Sequence, residues 1–101
     1  DQLEEKFQKK GLKLTDQRRT IAKIILESKE EYGESDHPDV DELYIRVSKI
    51  DPKISIATVY RTVKLFEEAG ILTKHDFKSG KARYELNDYD HHSIRIWLYQ
   101  F

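Results

Sequence analysis

Ser55-Ile56-Ala57-Thr58-Val59-Tyr60-Arg61-Thr62-Val63-Lys64-Leu65-Phe66-Glu67-Glu68-Ala69-Gly70 spells one helix with two unlike sides. At about 100° per residue, Ile56, Val59, Val63, Phe66 and Ala69 share an arc suited to a core. Ala57, Tyr60, Arg61 and Lys64 share another, at i, i+3, i+4 and i+7. That second arc combines a small residue, an aromatic hydroxyl, a fork-shaped cation and a flexible cation. Such a set fits base edges and phosphates in a DNA major groove.

The remaining composition bounds what such a helix belongs to. A chain of 101 residues fits one domain. With 38% hydrophobic and 37% charged residues, its core is modest and its surface heavily charged. No run of about 18 apolar residues occurs, so no membrane span is expected. Asp1-Gln2-Leu3-Glu4-Glu5 lacks the basic start and apolar stretch of a secretory signal. Cysteine is absent, which excludes disulfides and thiolate metal sites within these residues. The expectation is a soluble, cytoplasmic domain.

Net charge is −1, which by itself argues against a polyanionic partner. The distribution argues otherwise. Between Glu30 and Asp51, eight acidic residues face Arg46 and Lys49, a balance of −6; between Lys53 and Arg83, seven basic residues face Glu67, Glu68 and Asp76, a balance of +4. The basic half contains the two-sided helix, and local potential steers a polyanion. Ordinary solvated surface charge is the competing reading.

Around that helix the chain divides readily. Leu3 to Lys10 suits a short helix closed by Gly11. After the connector Leu12-Lys13-Leu14, Thr15 is a good N-cap for a helix from Asp16 to about Ser28. Ile21, Ile24 and Ile25 supply its buried stripe, and Glu30 to His37 is expected to be a loop. Asp39 and Glu42 form a capping-box-like start to a helix with Val40, Leu43, Tyr44, Val47 and Ile50 on one face. Asp51-Pro52 ends it, and Ser55 caps the next, so the two make a helix-turn-helix. Ile71–Phe77 and Ala82–Asn87, separated by a turn containing Ser79-Gly80, predict a hairpin. The fold class expected is mostly α with a small β-hairpin, a winged helix-turn-helix.

These blocks resemble the ferric uptake regulator family. The similarity is carried by Gly11-Leu12-Lys13-Leu14-Thr15 with Arg18, by His37 before Val40-Asp41-Glu42-Leu43-Tyr44, and most specifically by Ser55–Thr62 with Phe66–Gly70. Tyr84-Glu85-Leu86 and His91-His92 extend it to about residue 92. The resemblance implies a bacterial transcription regulator that binds DNA as a homodimer, usually a repressor of iron-uptake genes. Iron is the metal usually implied, with zinc or manganese in related branches. It also implies a winged helix followed by an α/β domain for dimerisation and metal binding. Residues 1–87 would be the winged-helix DNA-binding domain, and 88–101 a hinge remnant with an atypical apolar tail, the dimerisation domain being absent from this chain.

Individual roles follow from chemistry and from the resemblance. Tyr60 can touch thymine methyls and reach a phosphate, with packing against the hairpin as its alternative. Arg61 can grip guanine or clamp phosphate, and Lys64 suits a phosphate. Ser55, Ala57 and Thr58 lie near a helix N-terminus, whose free amides favour an anion. The resemblance implies Lys13 in an AT-rich minor groove, which rewards an inserted cation, and adds Thr15 and Arg18. Lys78, Lys81 and Arg83 are plausible phosphate contacts on the wing. The partner implied is an AT-rich palindromic operator.

His37, Glu85, His91 and His92 offer donors for iron, zinc or manganese. The resemblance implies His37, Glu85 and His92 in one hinge site, with His91 in a separate one. Ordinary capping by His37 and an unstructured His91-His92 tail form the alternative. His75 is expected to be a strand residue with no evident partner. The family follows its His-His pair with Asp and a second His, where this chain has Ser93 and Ile94.

From Ser93 to Phe101 the chain is apolar, rich in β propensity and unlike the family's continuation. A frameshift product, an artificial addition and a partner-docking segment are its possible origins; if ordered, it suits an extra strand. A competing function is a winged-helix protein-interaction module without independent DNA binding. Enzymatic activity is not expected, since neither a cysteine nucleophile nor a glycine-rich phosphate loop is present.

Overall fold

The computed structural model describes residues 15–33, 37–76 and 80–99, without the side chains of 88–90, 93 and 97. In chain order the elements are α1 (Asp16–Tyr32), α2 (Val40–Ile50), α3 (Ile56–Glu68), β1 (Leu72–Asp76), β2 (Ala82–Leu86) and α4 (Asp88–Leu98). The expected helix over residues 3–10, Gly11, Lys13 and Lys78 lie outside the described residues.

Three short polar side chains start the first three helices. Thr15, Asp39 and Ser55 each hold an extended backbone and accept the amide three residues on, from Arg18 at 3.2 Å, Glu42 at 2.8 Å and Thr58 at 3.1 Å. Each cap contributes about 1 kcal/mol. α1 runs to Tyr32, beyond the expected end near Ser28, because Glu27 to Tyr32 contain no breaker until Gly33. α3 ends where Gly70 takes a φ of 78°, with Gly70 N–H donating to Glu67 O at 3.0 Å and Ile71 N–H to Phe66 O at 2.9 Å. That paired closure needs a left-handed residue, which glycine supplies without strain.

The core lies where α1, α2 and α3 meet. Ile21 and Leu26 of α1, Leu43 and Val47 of α2, and Val59 and Val63 of α3 are fully buried, and Ile54 fills the turn between α2 and α3. Burying each such side chain contributes about 1.5–3 kcal/mol. The turn is held by Asp51, whose carboxylate accepts Lys53 N–H at 3.0 Å. β1 and β2 pair antiparallel with Leu72 opposite Leu86 and His75 opposite Arg83. Leu72 and Leu86 close the bottom of the core, and Lys29 of α1 donates to Leu86 O at 2.6 Å. Three helices followed by this hairpin make the expected winged helix-turn-helix.

The C-terminal segment departs from the sequence expectation. Residues 88–98 form a helix rather than a tail or an extra strand, because Ile94 and Leu98, one turn apart, are both buried against the core. Tyr99 adds a hydroxyl donated to Glu27 at 2.8 Å, and Arg95 pairs with Glu30, fastening α4 to α1. The hydrogen bond to Glu27, with lesser burial and acidic neighbours, raises the Tyr99 phenol above its ordinary value. Helical periodicity of the apolar residues here outweighs their individual β propensity.

Leu98→Ala is expected to cost about 2–4 kcal/mol in denaturant unfolding, whereas Ile96→Ala, on the exposed side of α4, stays within about 0.5 kcal/mol. Thr62 is fully buried on α3, and its hydroxyl has no hydrogen-bond partner among the described residues. Thr62→Val, which keeps the shape and removes the unsatisfied group, is expected to stabilise the fold by about 1 kcal/mol in the same measurement.

Candidate functional site

α3 separates its two sides as the periodicity requires. Val59, Thr62, Val63 and Phe66 are buried, while Ala57, Tyr60, Arg61 and Lys64 are exposed. Ile56, expected on the inner arc, is instead 40% exposed. It sits at the edge of that arc in the first turn, where no neighbouring element among the described residues closes over it. The outer side therefore runs Ile56, Ala57, Tyr60, Arg61, Lys64 and Glu68, apolar at its start, cationic at its middle and acidic at its end.

Tyr60 stands between solvent and the hairpin. It is 54% exposed, yet it also lines a cleft of about 240 Å³ with Asp39, Asp41, Lys81, Ala82 and Tyr84. One edge thus borders the wing while the rest meets solvent. Burial chiefly, then the Glu67 carboxylate and the neighbouring Tyr60 and Asp76, raises the Tyr84 phenol above its ordinary range. Tyr84 therefore stays a neutral phenol beside α3.

Ser55 and Thr58 sit together at the start of α3, their hydroxyls 3.1 Å apart. Since the Ser55 oxygen already caps Thr58 N–H, the amides at the mouth of the helix are what an anion would meet. Thr15 and Arg18 open a different helix, α1, where Thr15 is exposed and Arg18 half-buried.

Two cations of the wing, Lys81 and Arg83, meet groups of the fold. Arg83 donates to His37 O at 3.1 Å and to Glu42 Oε1 at 3.3 Å. Lys81 lies 3.4 Å from Asp41 and 3.9 Å from Asp39. Both are plausible phosphate contacts by sequence, and the acidic first turn of α2 faces them here. Lys81 remains 60% exposed, so its pairing is weak, whereas Arg83 is a structural tie.

A second cluster lies on the wing. Glu85 on β2 points one carboxylate oxygen at each of two imidazoles, His75 Nε2 at 3.2 Å and His37 Nε2 at 3.6 Å. The two rings meet edge to face at 5.4 Å. His37, His75 and Glu85 can each present a donor atom within 4.8 Å of the others. Two imidazole nitrogens and a carboxylate oxygen suit a first-row divalent cation.

This arrangement corrects the sequence expectation for His75, which has partners and lies beside His37 and Glu85. His91 and His92 stand on α4, half-buried and exposed respectively, and among the described residues neither joins the converging donors. The missed signal was the hairpin register: Thr73 opposes Glu85, so His75 is the diagonal neighbour of Glu85 on the same face.

The sequence pattern of the ferric uptake regulator family matches residues 9–96. The ferric uptake regulation protein of Rhizobium leguminosarum bv. viciae is 54% identical over 96 residues, covering 95% of this chain and 63% of that protein. A zinc-bound manganese uptake regulator superposes with a TM-score of 0.69 at 54% identity, over 86% of this chain and 61% of that one. The Vibrio cholerae ferric uptake regulator, solved with rearranged DNA-binding domains, superposes at 0.65 with 36% identity, over 80% of this chain and 58% of that one. The chain thus spans less than two-thirds of the length of these relatives. The family match continues past residue 92, so the expectation of an abrupt end to the similarity there is also corrected.

Arg83→Ala is expected to cost about 1 kcal/mol and to speed amide exchange at Tyr84, whose N–H donates to Pro38 O at 3.0 Å. Lys81→Ala, which breaks only exposed pairs, is expected to leave both stability and exchange nearly unchanged.

Proposed function

Because this chain belongs to the ferric uptake regulator family, we propose that it is the DNA-reading portion of a metal-responsive transcription regulator. The observation that carries this reading is the outward side of α3, where Ala57, Tyr60, Arg61 and Lys64 are exposed together while the opposite side is locked in the core. A helix held this way enters the major groove as a rigid body. Ala57 permits close approach, Tyr60 meets thymine methyls, and Arg61 makes paired hydrogen bonds to guanine or clamps a phosphate. Lys64 contacts phosphate, and the amides behind Ser55, Ala57 and Thr58 receive another.

Around this centre, Thr15 and Arg18 hold backbone phosphate near the start of α1, and Lys13 enters an adjacent AT-rich minor groove. The DNA is an AT-rich palindromic operator. Palindromy calls for two copies of the helix related by a two-fold axis, so the acting species is a homodimer. The metal is a divalent first-row ion, iron, zinc or manganese, held by His37, Glu85 and His92, with His91 in a separate site. That one related structure is a zinc-bound manganese uptake regulator supports keeping manganese beside iron. When bound, such an ion supplies fixed positive charge and a cross-link between elements. No catalytic role is assigned to any residue, and the repressor acts in the cytoplasm.

Fluorescence anisotropy on such an operator tests this reading. Arg61→Ala is expected to weaken specific binding by about 1–3 kcal/mol and to relax preference at one base position, whereas Lys64→Ala weakens all sequences alike. Affinity should fall steeply as salt rises. Unchanged operator binding by Arg61→Ala, or salt-insensitive association, would refute the assigned face.

A further inference from the structure

We propose that the cleft between the start of α2, the outer side of α3 and the wing binds a small organic ammonium ion, a protonated amine on a compact apolar body. Asp39 and Asp41 line it from the start of α2, Tyr60 from α3, and Lys81 and Tyr84 from the wing. Two carboxylates against one ammonium leave this lining at −1, so a cation is drawn in and a phosphate or carboxylate is turned away. The site stands apart from His37, His75 and Glu85, and its occupancy does not depend on whether α3 reads DNA.

The acceptor is Asp39. Its side chain is only 8% exposed, and one carboxylate oxygen is spent on capping Glu42 N–H at 2.8 Å. Among the described residues the other oxygen meets only the Lys81 ammonium, at 3.9 Å, which is beyond hydrogen-bond length. A carboxylate oxygen withdrawn from water and left without a hydrogen bond costs free energy, which a better-placed N–H donor recovers. Lys81 is a poor occupant of that place. Its side chain is 60% exposed, its nearer contact is Asp41 at 3.4 Å, and an exposed pair of this kind is easily displaced.

The two tyrosines suit the rest of such a ligand. They border the cleft from different elements, and neither hydroxyl has a hydrogen-bond partner among the described residues. A phenol ring attracts a cation through its quadrupole, and a phenol oxygen accepts from an ammonium. Val40 and Ala82 add apolar surface for a hydrocarbon body. The cleft holds about 240 Å³, below the roughly 300–1,000 Å³ of sites for drug-sized ligands, so the body is small. A seated ligand covers the edge of Tyr60 that borders the wing. Ligand and duplex would then contend for that side chain, a consequence that rests on the DNA reading above.

The test follows backbone amide resonances of the 101-residue chain as phenethylammonium is added without DNA, with phenethyl alcohol as the neutral counterpart and phenylacetate as the anionic one. Shifts are expected to concentrate at Tyr60, Lys81, Ala82 and Tyr84, with the amine binding at least about threefold tighter than the alcohol, as an exposed cation–π contact alone would supply. Phenylacetate is expected to give no saturable shift there. Lys81→Ala removes the competing ammonium and takes the lining from −1 to −2, so it is expected to tighten amine binding by about threefold or more. Asp41→Asn is expected to weaken it, with circular dichroism confirming that the variant folds. Equal binding of amine and alcohol, amine binding not tightened by Lys81→Ala, or shifts scattered away from the cleft would overturn the site. Because no arm contains DNA, such a failure leaves operator binding by α3 to its own measurement.

Discussion

The burial of Val59, Thr62, Val63 and Phe66 beneath α3 is the constraint on which the rest of the molecule depends. A helix with one side immersed in the core has no freedom to rotate about its axis, because even a small rotation would expose apolar surface worth several kcal/mol. The rotational setting of Tyr60, Arg61 and Lys64 is thus decided by residues that never meet solvent. Ile54 in the turn and Leu43 and Val47 on α2 complete the seat, so the angle between the two helices of the helix-turn-helix is likewise a packing result. Thr62 marks the cost of that arrangement, since its hydroxyl is carried into the core with no partner among the described residues.

Polar ties then fix the hairpin to that seat. Lys29 reaches across to Leu86 O, and Asn87 donates its amide to Ile71 O at 3.0 Å and its side chain to Gly70 O. Pro38 O takes Tyr84 N–H, and Arg83 joins β2 to His37 and Glu42. The first turn of α2, acidic as a helix start favours, provides the counter-charges for the wing. Part of the basic excess counted over residues 53–83 is consumed in this way. Of what remains outward, Arg61 and Lys64 stand on α3, where no ion pair is found for either among the described residues. A chain of net charge −1 can therefore keep Arg61 and Lys64 exposed on α3, because part of its acidic half faces the wing rather than α3.

Much of this was legible in the sequence, and the reasons are local. Thr15, Asp39 and Ser55 announce helix starts through short-range chemistry, and Gly70 announces an end; such signals need no knowledge of the tertiary fold. The two-sided pattern of α3 was equally plain, except for Ile56, whose exposure depends on which neighbour covers the first turn. The failures share one feature: each required knowing what comes close in space. Ser93 to Phe101 looked strand-like residue by residue, but Ile94 and Leu98 pair one turn apart against α1. Where the family pattern has histidine, Ile94 contributes to the core instead. Lys81 and Arg83 looked free until α2 placed its carboxylates beside them.

His75 illustrates the same limit more sharply. In a strand, side chains alternate, so whether two residues meet across a hairpin depends on register, and a slip of one sends a side chain to the opposite face. The turn between β1 and β2 sets that register so that Asp76 pairs with Ala82 and His75 with Arg83. Glu85 then lies diagonally from His75, and the Pro38–Tyr84 tie brings His37 to the same face. A shift of one residue in the turn would scatter the three donors while leaving every hydrophobic signal in the sequence intact. The cluster is thus a property of the register, and any ion it takes reports on whether the wing is correctly paired.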